Sequence, residues 1–214
     1  KAMNLPISEE AKNRKMILQQ VESQDFATNP NHEKYSEFTS LNYQEAKEYV
    51  QNSVTQPVRK RIADIVGNNS VLDVGCANGI DSHRYAPSQY FGLDISPELI
   101  RVAKERHPKH RFVCDDANNF LLTNHFDYII CKAVLEHLPD VQTMLKLYRS
   151  MVEQSDVLLL AWHMIPNKKT AVHQLVGHFG KQIYQNEYSK KLFEGGVKIK
   201  KERIENYELW TVTK

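Results

Sequence analysis

This sequence of 214 residues has few cysteines and little net charge. The cysteines are three, an odd number, and they occur in or beside apolar, strand-like runs, which argues against a disulfide framework and favours a reducing compartment. The net charge is only +2, from 28 Lys and Arg against 26 Asp and Glu. No overall field therefore attracts nucleic acid or an anionic membrane, and small molecules are the expected partners. The cysteines are Cys76, Cys114 and Cys131.

Long apolar runs are missing as well. None approaches the roughly 18 residues that a membrane-spanning helix needs. The N-terminal segment 1–16 also has no apolar core of the kind found in signal peptides. We therefore expect a soluble, cytoplasmic protein with no membrane partner and no nucleic-acid partner, whose oligomeric state the sequence leaves open.

From Ser70 onward, short apolar runs alternate with amphipathic stretches. Strands that alternate with helices in this way predict a parallel sheet covered by helices on both faces. The predicted strands are 71–74, 90–95, 111–115, 126–131 and 156–162, and the predicted helices between them are about 79–86, 97–106, 116–121 and 133–153.

The two ends of the chain differ from this core. Segments 197–204 and 207–214 are joined by two residues only, which is too short for a parallel crossover, so they predict an antiparallel hairpin. Helical spacing of apolar residues predicts helices in 8–24, in 43–51 and in 55–67. The expected fold class is α/β: a doubly wound, mostly parallel seven-stranded sheet with a C-terminal antiparallel hairpin.

The stretch "VLDVGCANG" (71–79) is a buried strand that runs into a tight turn. A dinucleotide-binding turn needs glycine at its first, third and sixth places, and here those places hold Gly75, Ala77 and Ile80. No Gly-Lys-Ser/Thr follows, which excludes a P-loop. Asp73 is expected at the mouth of the turn, where a carboxylate repels phosphate and suits a ligand with positive charge.

The Asp-x-Gly-x-Ala-x-Gly spacing from Asp73 to Gly79 resembles that of class I S-adenosylmethionine-dependent methyltransferases, and three later segments match the same family in the right order. They are "YFGLDIS", "RFVCDDANNF" and "FDYIICKAVLEHLPD", the last of which is similar to the small-molecule branch. The resemblance implies a Rossmann-like methyltransferase fold, S-adenosylmethionine as cofactor, S-adenosylhomocysteine as product and a small-molecule acceptor.

The resemblance also implies two contacts with the adenosine part of the cofactor. Asp94, nineteen residues after Gly75, ends the second strand, where a carboxylate can accept hydrogen bonds from both ribose hydroxyls; this does not distinguish S-adenosylmethionine from NAD. At the end of the third strand, Asp116 followed by Ala117 is expected to bind the adenine edge. Asp115 is then solvated or caps the short helix.

The complete set of expected cofactor contacts includes residues at the first four strand ends and one upstream aromatic. Tyr35 is placed over the methionine end of the cofactor, with core packing as the alternative. Cys131 is interpreted as a buried structural thiol rather than a covalent nucleophile. The expected contacts are Asp73, Gly75, Cys76, Ala77, Gly79, Asp94, Ile95, Asp116, Ala117, Cys131, Lys132 and Tyr35.

Two histidines are candidate bases for the acceptor. His163 follows the fifth strand directly, where polar side chains face the crevice of a parallel sheet, and it is the preferred candidate. His137 can serve the same purpose or bond to backbone. Some related enzymes hold a divalent ion after the fourth strand; Glu136 and His137 match part of that pattern, but Ala133 replaces an expected acid, so no metal is predicted.

The whole chain, 1–214, is predicted to be a single methyltransferase domain whose flanking segments choose the acceptor. Within the insert a hairpin is favoured over a helix, and its content of Lys, His and Tyr suits a hydroxylated or anionic acceptor. O-methylation is favoured over N-methylation, with an RNA or protein methyltransferase or a non-catalytic cofactor-binding module as alternatives. The parts are an N-terminal helical cap (1–69), a cofactor-binding core (70–163), a substrate lid (164–196) and the terminal hairpin (197–214).

Overall fold

A computed structural model describes most of the predicted core and parts of its C-terminal extension. The predicted helices within 8–24 and 43–51 lie outside the described residues. The described residues are 55–121, 124–135, 138, 141–163, 165–166, 173–176, 182–185, 195–205 and 207–214.

A seven-stranded sheet forms the centre of the molecule, in the order β3-β2-β1-β4-β5-β10-β9. Strands β1 to β5 are parallel, and β10 runs antiparallel to both β5 and β9. The mostly parallel sheet with a terminal hairpin is therefore confirmed. Its strands are β1 (Val71–Val74), β2 (Tyr90–Asp94), β3 (Arg111–Cys114), β4 (Phe126–Lys132), β5 (Ser155–His163), β9 (Lys198–Ile204) and β10 (Tyr207–Thr213).

Helices connect the strands at the predicted places. The helix predicted over 133–153 begins only at Val141, and Ala133 has a left-handed backbone with φ 53°. The helix predicted over 97–106 has those bounds, because Ser96 caps it by accepting from the Leu99 amide at 3.4 Å and Pro97 occupies its first position. The helices are α1 (Gln56–Val66), a 3₁₀ helix (Ile80–Arg84), α2 (Pro97–Arg106), α3 (Ala117–Phe120) and α4 (Val141–Glu153).

Both faces of the sheet are covered, as the double winding requires. Successive residues of β1 alternate between two apolar layers. Leu72 and Val74 pack in the layer that contains α4, and Val71 packs with α1 on the other side. Asp73 lies on the α1 side, where it is buried beside Arg59 of α1.

A second, three-stranded sheet follows β5 in the insert. It consists of β6 (Ile165–Pro166), β7 (His173–Val176) and β8 (Gln182–Gln185), all antiparallel. The pairing of β7 with β8 confirms the predicted hairpin, which the glycines between the two strands favour over a continuous helix. Among the described helices, none combines the length and apolar character needed to cross a membrane.

Candidate functional site

The carboxyl ends of β1, β2, β3 and β4 meet at one edge of the sheet, called here the rim. Val74 of β1 is paired with Leu93 of β2 and with Cys131 of β4, and Asp94 is paired with Cys114 of β3. The residues at the four strand ends are therefore neighbours. In open parallel sheets such a rim, beside the first strand, is where ligands bind.

The turn after β1 depends on residues with a left-handed backbone. Gly75 and Gly79 have φ 72° and 70°, and Ala77 has φ 49°. A methyl group added at Gly75 would stand 2.3 Å from Val134 Cγ2, so the turn can approach the segment after β4 only because this residue has no side chain. The predicted tight turn is thus confirmed, and its close packing against Val134 is a feature that the sequence did not predict.

The turn uses its own amides to fold back on β2. The Gly75 and Cys76 amides donate to the Leu93 carbonyl at 2.8 and 3.0 Å, and the Ala77 amide donates to Asp94 Oδ2 at 2.8 Å. The Gly79 amide donates to the Cys76 carbonyl at 3.0 Å. These four donors are consequently directed into the protein and not toward a ligand at the rim.

Asp94 connects the turn with the start of α2. Its Oδ1 accepts from the Ser96 amide at 2.9 Å, while Oδ2 holds Ala77. The carboxylate is 9 % exposed, and burial raises its pKa while the amide bonds oppose the increase. Ser96 provides the cap of α2, so Asp94 is not needed for it. Each carboxylate oxygen retains a lone pair that a ligand hydroxyl can use.

The two carboxylates after β3 have different partners. Asp116 is the cap of α3, since its Oδ1 accepts from the Asn118 amide at 2.8 Å. The alternative that Asp115 caps this helix is therefore wrong; Asp115 Oδ1 instead accepts from the Asp116 amide at 2.7 Å. A capping carboxylate fixes the position of α3 and of Ala117, its first residue.

Asp73 differs from its expected position. It is the third residue of β1, is 4 % exposed, and lies beneath the turn on the α1 side instead of at the mouth. Its Oδ2 accepts a hydrogen bond from the Tyr90 hydroxyl at 2.8 Å. Strand alternation explains the difference, because the third residue of a strand between two covered faces must point into one of them. Any electrostatic effect of Asp73 on a ligand at the rim would therefore come from beneath the turn and not from its mouth.

A cluster of charges surrounds Asp73, and the sequence did not predict it. This charge cluster consists of buried Arg59 and the part-buried Asp81, Arg84 and Lys132. Asp81 Oδ1 pairs with Arg59 Nη1 at 3.0 Å and with Arg84 Nε at 3.4 Å, and Asp81 Oδ2 lies 3.7 Å from Lys132 Nζ. The sequence contains only weak signals of this cluster: Arg59 follows apolar Val58 on the buried side of α1, and Lys132 ends an apolar strand. A small cavity in this charge cluster is lined by Arg59, Ile62, Asp73, Asp81, Tyr85, Ile130 and Lys132.

Opposing effects set the protonation of the charge cluster. Burial alone would raise the pKa of Asp81, but Lys132 and Arg59, with help from Arg84, hold that pKa below its ordinary value. Burial lowers the pKa of Lys132, and Arg59 adds to this decrease while Asp81 opposes it. Asp81 is therefore ionised and is the shared counter-ion of the surrounding cations.

The buried cysteines are part of the packing. Cys131 is 2 % exposed in the layer that contains α4, as expected for a structural thiol. Cys76 is 5 % exposed, and burial together with the neighbouring Asp94 raises the pKa of its thiol. A thiol with a raised pKa is a poor nucleophile, so the turn supplies no reactive cysteine at Cys76.

The candidate bases and the upstream aromatic remain predictions. His163 is the last residue of β5 and its backbone pairs with that of Tyr207, but its side chain is not described. Tyr35, Glu136 and His137 lie outside the described residues. Across the described part of the chain, no group of three or more His, Cys, Asp and Glu side chains is arranged to hold a metal ion.

Known proteins share this sequence pattern. Residues 65–208, more than half of the chain, match the family described as a methyltransferase domain. A ubiquinone biosynthesis O-methyltransferase of Coxiella burnetii is 33% identical over 116 residues, which cover 50% of this chain and 48% of that protein. A trans-aconitate 2-methyltransferase of Methylobacterium radiotolerans is 30% identical over 109 residues, 49% and 41% of the two chains. The chain spans about half the length of these curated relatives.

The fold is also found in solved structures. An amino pentose methyltransferase from Micromonospora echinaspora, solved with S-adenosylmethionine bound, aligns with a TM-score of 0.58 over 80% of this chain and 96% of that chain. The two sequences are 16% identical, so this likeness shows the fold alone. Together with the family match, it means that the chain belongs to the methyltransferase domain family, within the class I S-adenosylmethionine-dependent methyltransferases.

Proposed function

We propose that this chain binds S-adenosylmethionine at the rim and transfers its methyl group to a small-molecule acceptor, at oxygen in preference to nitrogen. The main support for the proposal comes from the hydrogen bonds that the turn amides donate. Four of them are bonded within the protein, so they cannot bind a pyrophosphate as the amides of a dinucleotide turn do. A nucleoside ligand without phosphate suits this turn.

The segment after the turn supports the same choice. Phosphate binding at a helix N-terminus uses unpaired amides and the dipole of an α-helix. Here the turn leads into a 3₁₀ helix of five residues, Ile80–Arg84, whose first turn also contains Asp81. Asp81 is paired with three cations, but Asp73 beneath the turn forms no ion pair among the described residues. The Asp73 carboxylate therefore disfavours an anionic ligand and favours one with positive charge, which S-adenosylmethionine has in its sulfonium and ammonium groups.

Three parts of the rim would hold the ligand. Asp94 is fixed by two amides and can accept from the ribose hydroxyls with its remaining lone pairs. Asp116 and the Ala117 amide are proposed to bind the adenine edge, and capping of α3 keeps that pair in position. The end of β4, at Lys132, borders the remaining part of the ligand.

The cofactor would supply a methyl group on a sulfonium sulfur, and the group that leaves would be the neutral thioether S-adenosylhomocysteine, which keeps the electron pair of the broken S–CH3 bond. The protein's contribution is to place the acceptor in line with that methyl and to take a proton from the acceptor hydroxyl. Alignment of two reactants can supply several kcal/mol of the barrier, and a base adds roughly 10²–10⁴-fold. His163, with His137 as the alternative, is proposed as that base.

The acceptor is proposed to be a hydroxylated or anionic small molecule. The names of the matched relatives support methyl transfer to small molecules, and one of them is an O-methyltransferase. The cap (1–69) and the lid (164–196) are the proposed specificity segments, since they flank the core on both sides in the sequence. The location proposed for the reaction is the cytoplasm.

A screen with isotopically labelled methyl donor tests this function. The protein is incubated with labelled S-adenosylmethionine and separate panels of hydroxylated metabolites, amines, RNA and protein. We expect label to enter a hydroxylated or carboxylated metabolite. Label confined to RNA or protein would contradict the small-molecule assignment, and cofactor binding without any transfer would favour the non-catalytic module.

A further inference from the structure

Two carboxylates, buried Asp73 and part-buried Asp81, share the cavity of the charge cluster, but their partners are unequally distributed. Asp81 has Arg59, Arg84 and Lys132 within 4 Å. Among the described residues, Asp73 forms no ion pair, and its hydrogen bond comes from the neutral hydroxyl of Tyr90. Asp73 is thus the carboxylate whose negative charge is not balanced by a contact.

The surroundings of Asp73 penalise its ionised form. Burial, with the charge of Asp81 as the second cause, raises the pKa of Asp73 to about 6. Lys132, the Tyr90 hydroxyl and Arg59 oppose that increase without cancelling it. The charged and titratable groups that face Asp73, or the Asp81 carboxylate beside it, are Arg59 on α1, Cys76 in the turn, Asp81 and Arg84 on the 3₁₀ helix, Tyr85 after it, Tyr90 on β2 and Lys132 on β4.

The charge cluster adjoins the proposed ligand site. Asp73 precedes Gly75, the first residue of the turn, by two residues, which is about 7 Å along an extended strand. Arg59 Nε is buried and has no hydrogen-bond partner among the described residues, so the cluster is not fully satisfied by the residues around it. A cation that enters the rim above β1 would approach the carboxylate whose charge lacks a counter-ion.

We propose that Asp73 carries a proton in a fraction of the ligand-free molecules and releases this proton to the solvent when a cationic ligand binds at the rim. This inference rests on the proposed function, since it takes S-adenosylmethionine as the cation. The charge of the ligand then replaces the proton as the partner of the Asp73 carboxylate. Recognition of positive charge is thereby coupled to pH.

The direction of the pH effect follows from the raised pKa. Below about pH 6 the ligand-free protein keeps the proton on Asp73, and binding must displace it, so affinity falls as the pH falls. Between pH 7 and pH 5 the affinity is expected to fall by up to about tenfold for one released proton. Near pH 6 binding should release about half a proton, which is the protonated fraction at the midpoint.

Calorimetric titration with S-adenosylmethionine in buffers of different ionisation enthalpy counts these protons. Wild type is compared with Asp73→Asn, which keeps an acceptor for the Tyr90 hydroxyl, and with Asp127→Asn, whose carboxylate accepts from Ser70 at the opposite end of the sheet. We expect proton release near pH 6 in wild type and Asp127→Asn only. The amino group of the ligand titrates near pH 8 in all three and cancels in the difference.

A second variant keeps the test usable if Asp73→Asn does not fold. Tyr90→Phe removes the hydrogen bond that favours ionised Asp73, so the pH at which affinity declines should move upward. Equal proton counts in wild type and Asp73→Asn, or an unchanged midpoint in Tyr90→Phe, would overturn the proton exchange while leaving the proposed function intact. Absence of binding at every pH would overturn the proposed function and the exchange together.

Discussion

Gly75→Ala is expected to destabilise the protein by about 2–5 kcal/mol and to remove cofactor binding. A left-handed backbone at a residue with a side chain costs about 1–2 kcal/mol, and Gly75 has φ 72°. The new methyl group would lie 2.3 Å from Val134 Cγ2, and forcing extra atoms into packed space costs about 1–3 kcal/mol more. The turn would then move away from the segment after β4 and distort the rim.

Two companion variants separate the causes. Gly196 has φ 79° with nothing within 4 Å of an added methyl, so Gly196→Ala measures backbone strain alone. Gly75→Ala combined with Val134→Ala removes the collision and should recover part of the stability. Chemical denaturation gives the free energy of unfolding of each protein. A loss in Gly75→Ala no larger than in Gly196→Ala would show that the close approach is unimportant.

Asp94→Ala is expected to reduce affinity for S-adenosylmethionine on the order of a hundredfold or more. Hydrogen bonds to a charged group contribute about 1.5–3 kcal/mol each, and two ribose hydroxyls are proposed to bond to this carboxylate. The substitution also leaves the amides of Ala77 and Ser96 without their acceptor. Asp94→Asn keeps the volume and one acceptor oxygen, so one of the two backbone amides retains its partner and the loss of affinity should be smaller than in Asp94→Ala. Calorimetric titration measures both losses.

A control must separate lost ligand contacts from general loosening of the fold. Asp127 also fixes a loop, since its Oδ2 accepts from the Ser70 amide and hydroxyl at 2.8 Å each, but it lies at the amino end of the sheet. Asp127→Ala should therefore lower stability and leave affinity for the cofactor unchanged. Equal affinity losses in Asp94→Ala and Asp127→Ala would refute a direct role of Asp94.

The sheet was predictable because its strands are short, apolar and separated by helices with clear end signals. Ser96 and Pro97 marked the start of α2, and both bounds of that helix were correct. The start of α4 was predicted too early because 133–140 continues the apolar pattern, whereas Ala133 has a left-handed backbone that no residue type signals. Local patterns thus located elements better than they located irregular backbone between them.

The candidate site was predictable where it depends on strand ends and less so where it depends on contacts across the fold. The rim position of Asp94 follows from its place as the last residue of β2. The pairing of Arg59 with Asp81 joins residues 22 positions apart on different elements, and no spacing rule reveals it. The sequence also did not distinguish the roles of two neighbouring carboxylates. Only the structure shows that Asp116, and not Asp115, caps the helix.

Direct binding tests whether the rim binds a cationic nucleoside without phosphate. Wild-type protein is titrated in a calorimeter with S-adenosylmethionine and, separately, with NAD. We expect saturable binding of S-adenosylmethionine and no saturable binding of NAD at the same concentrations. Tighter binding of NAD, or no binding of S-adenosylmethionine, would contradict it.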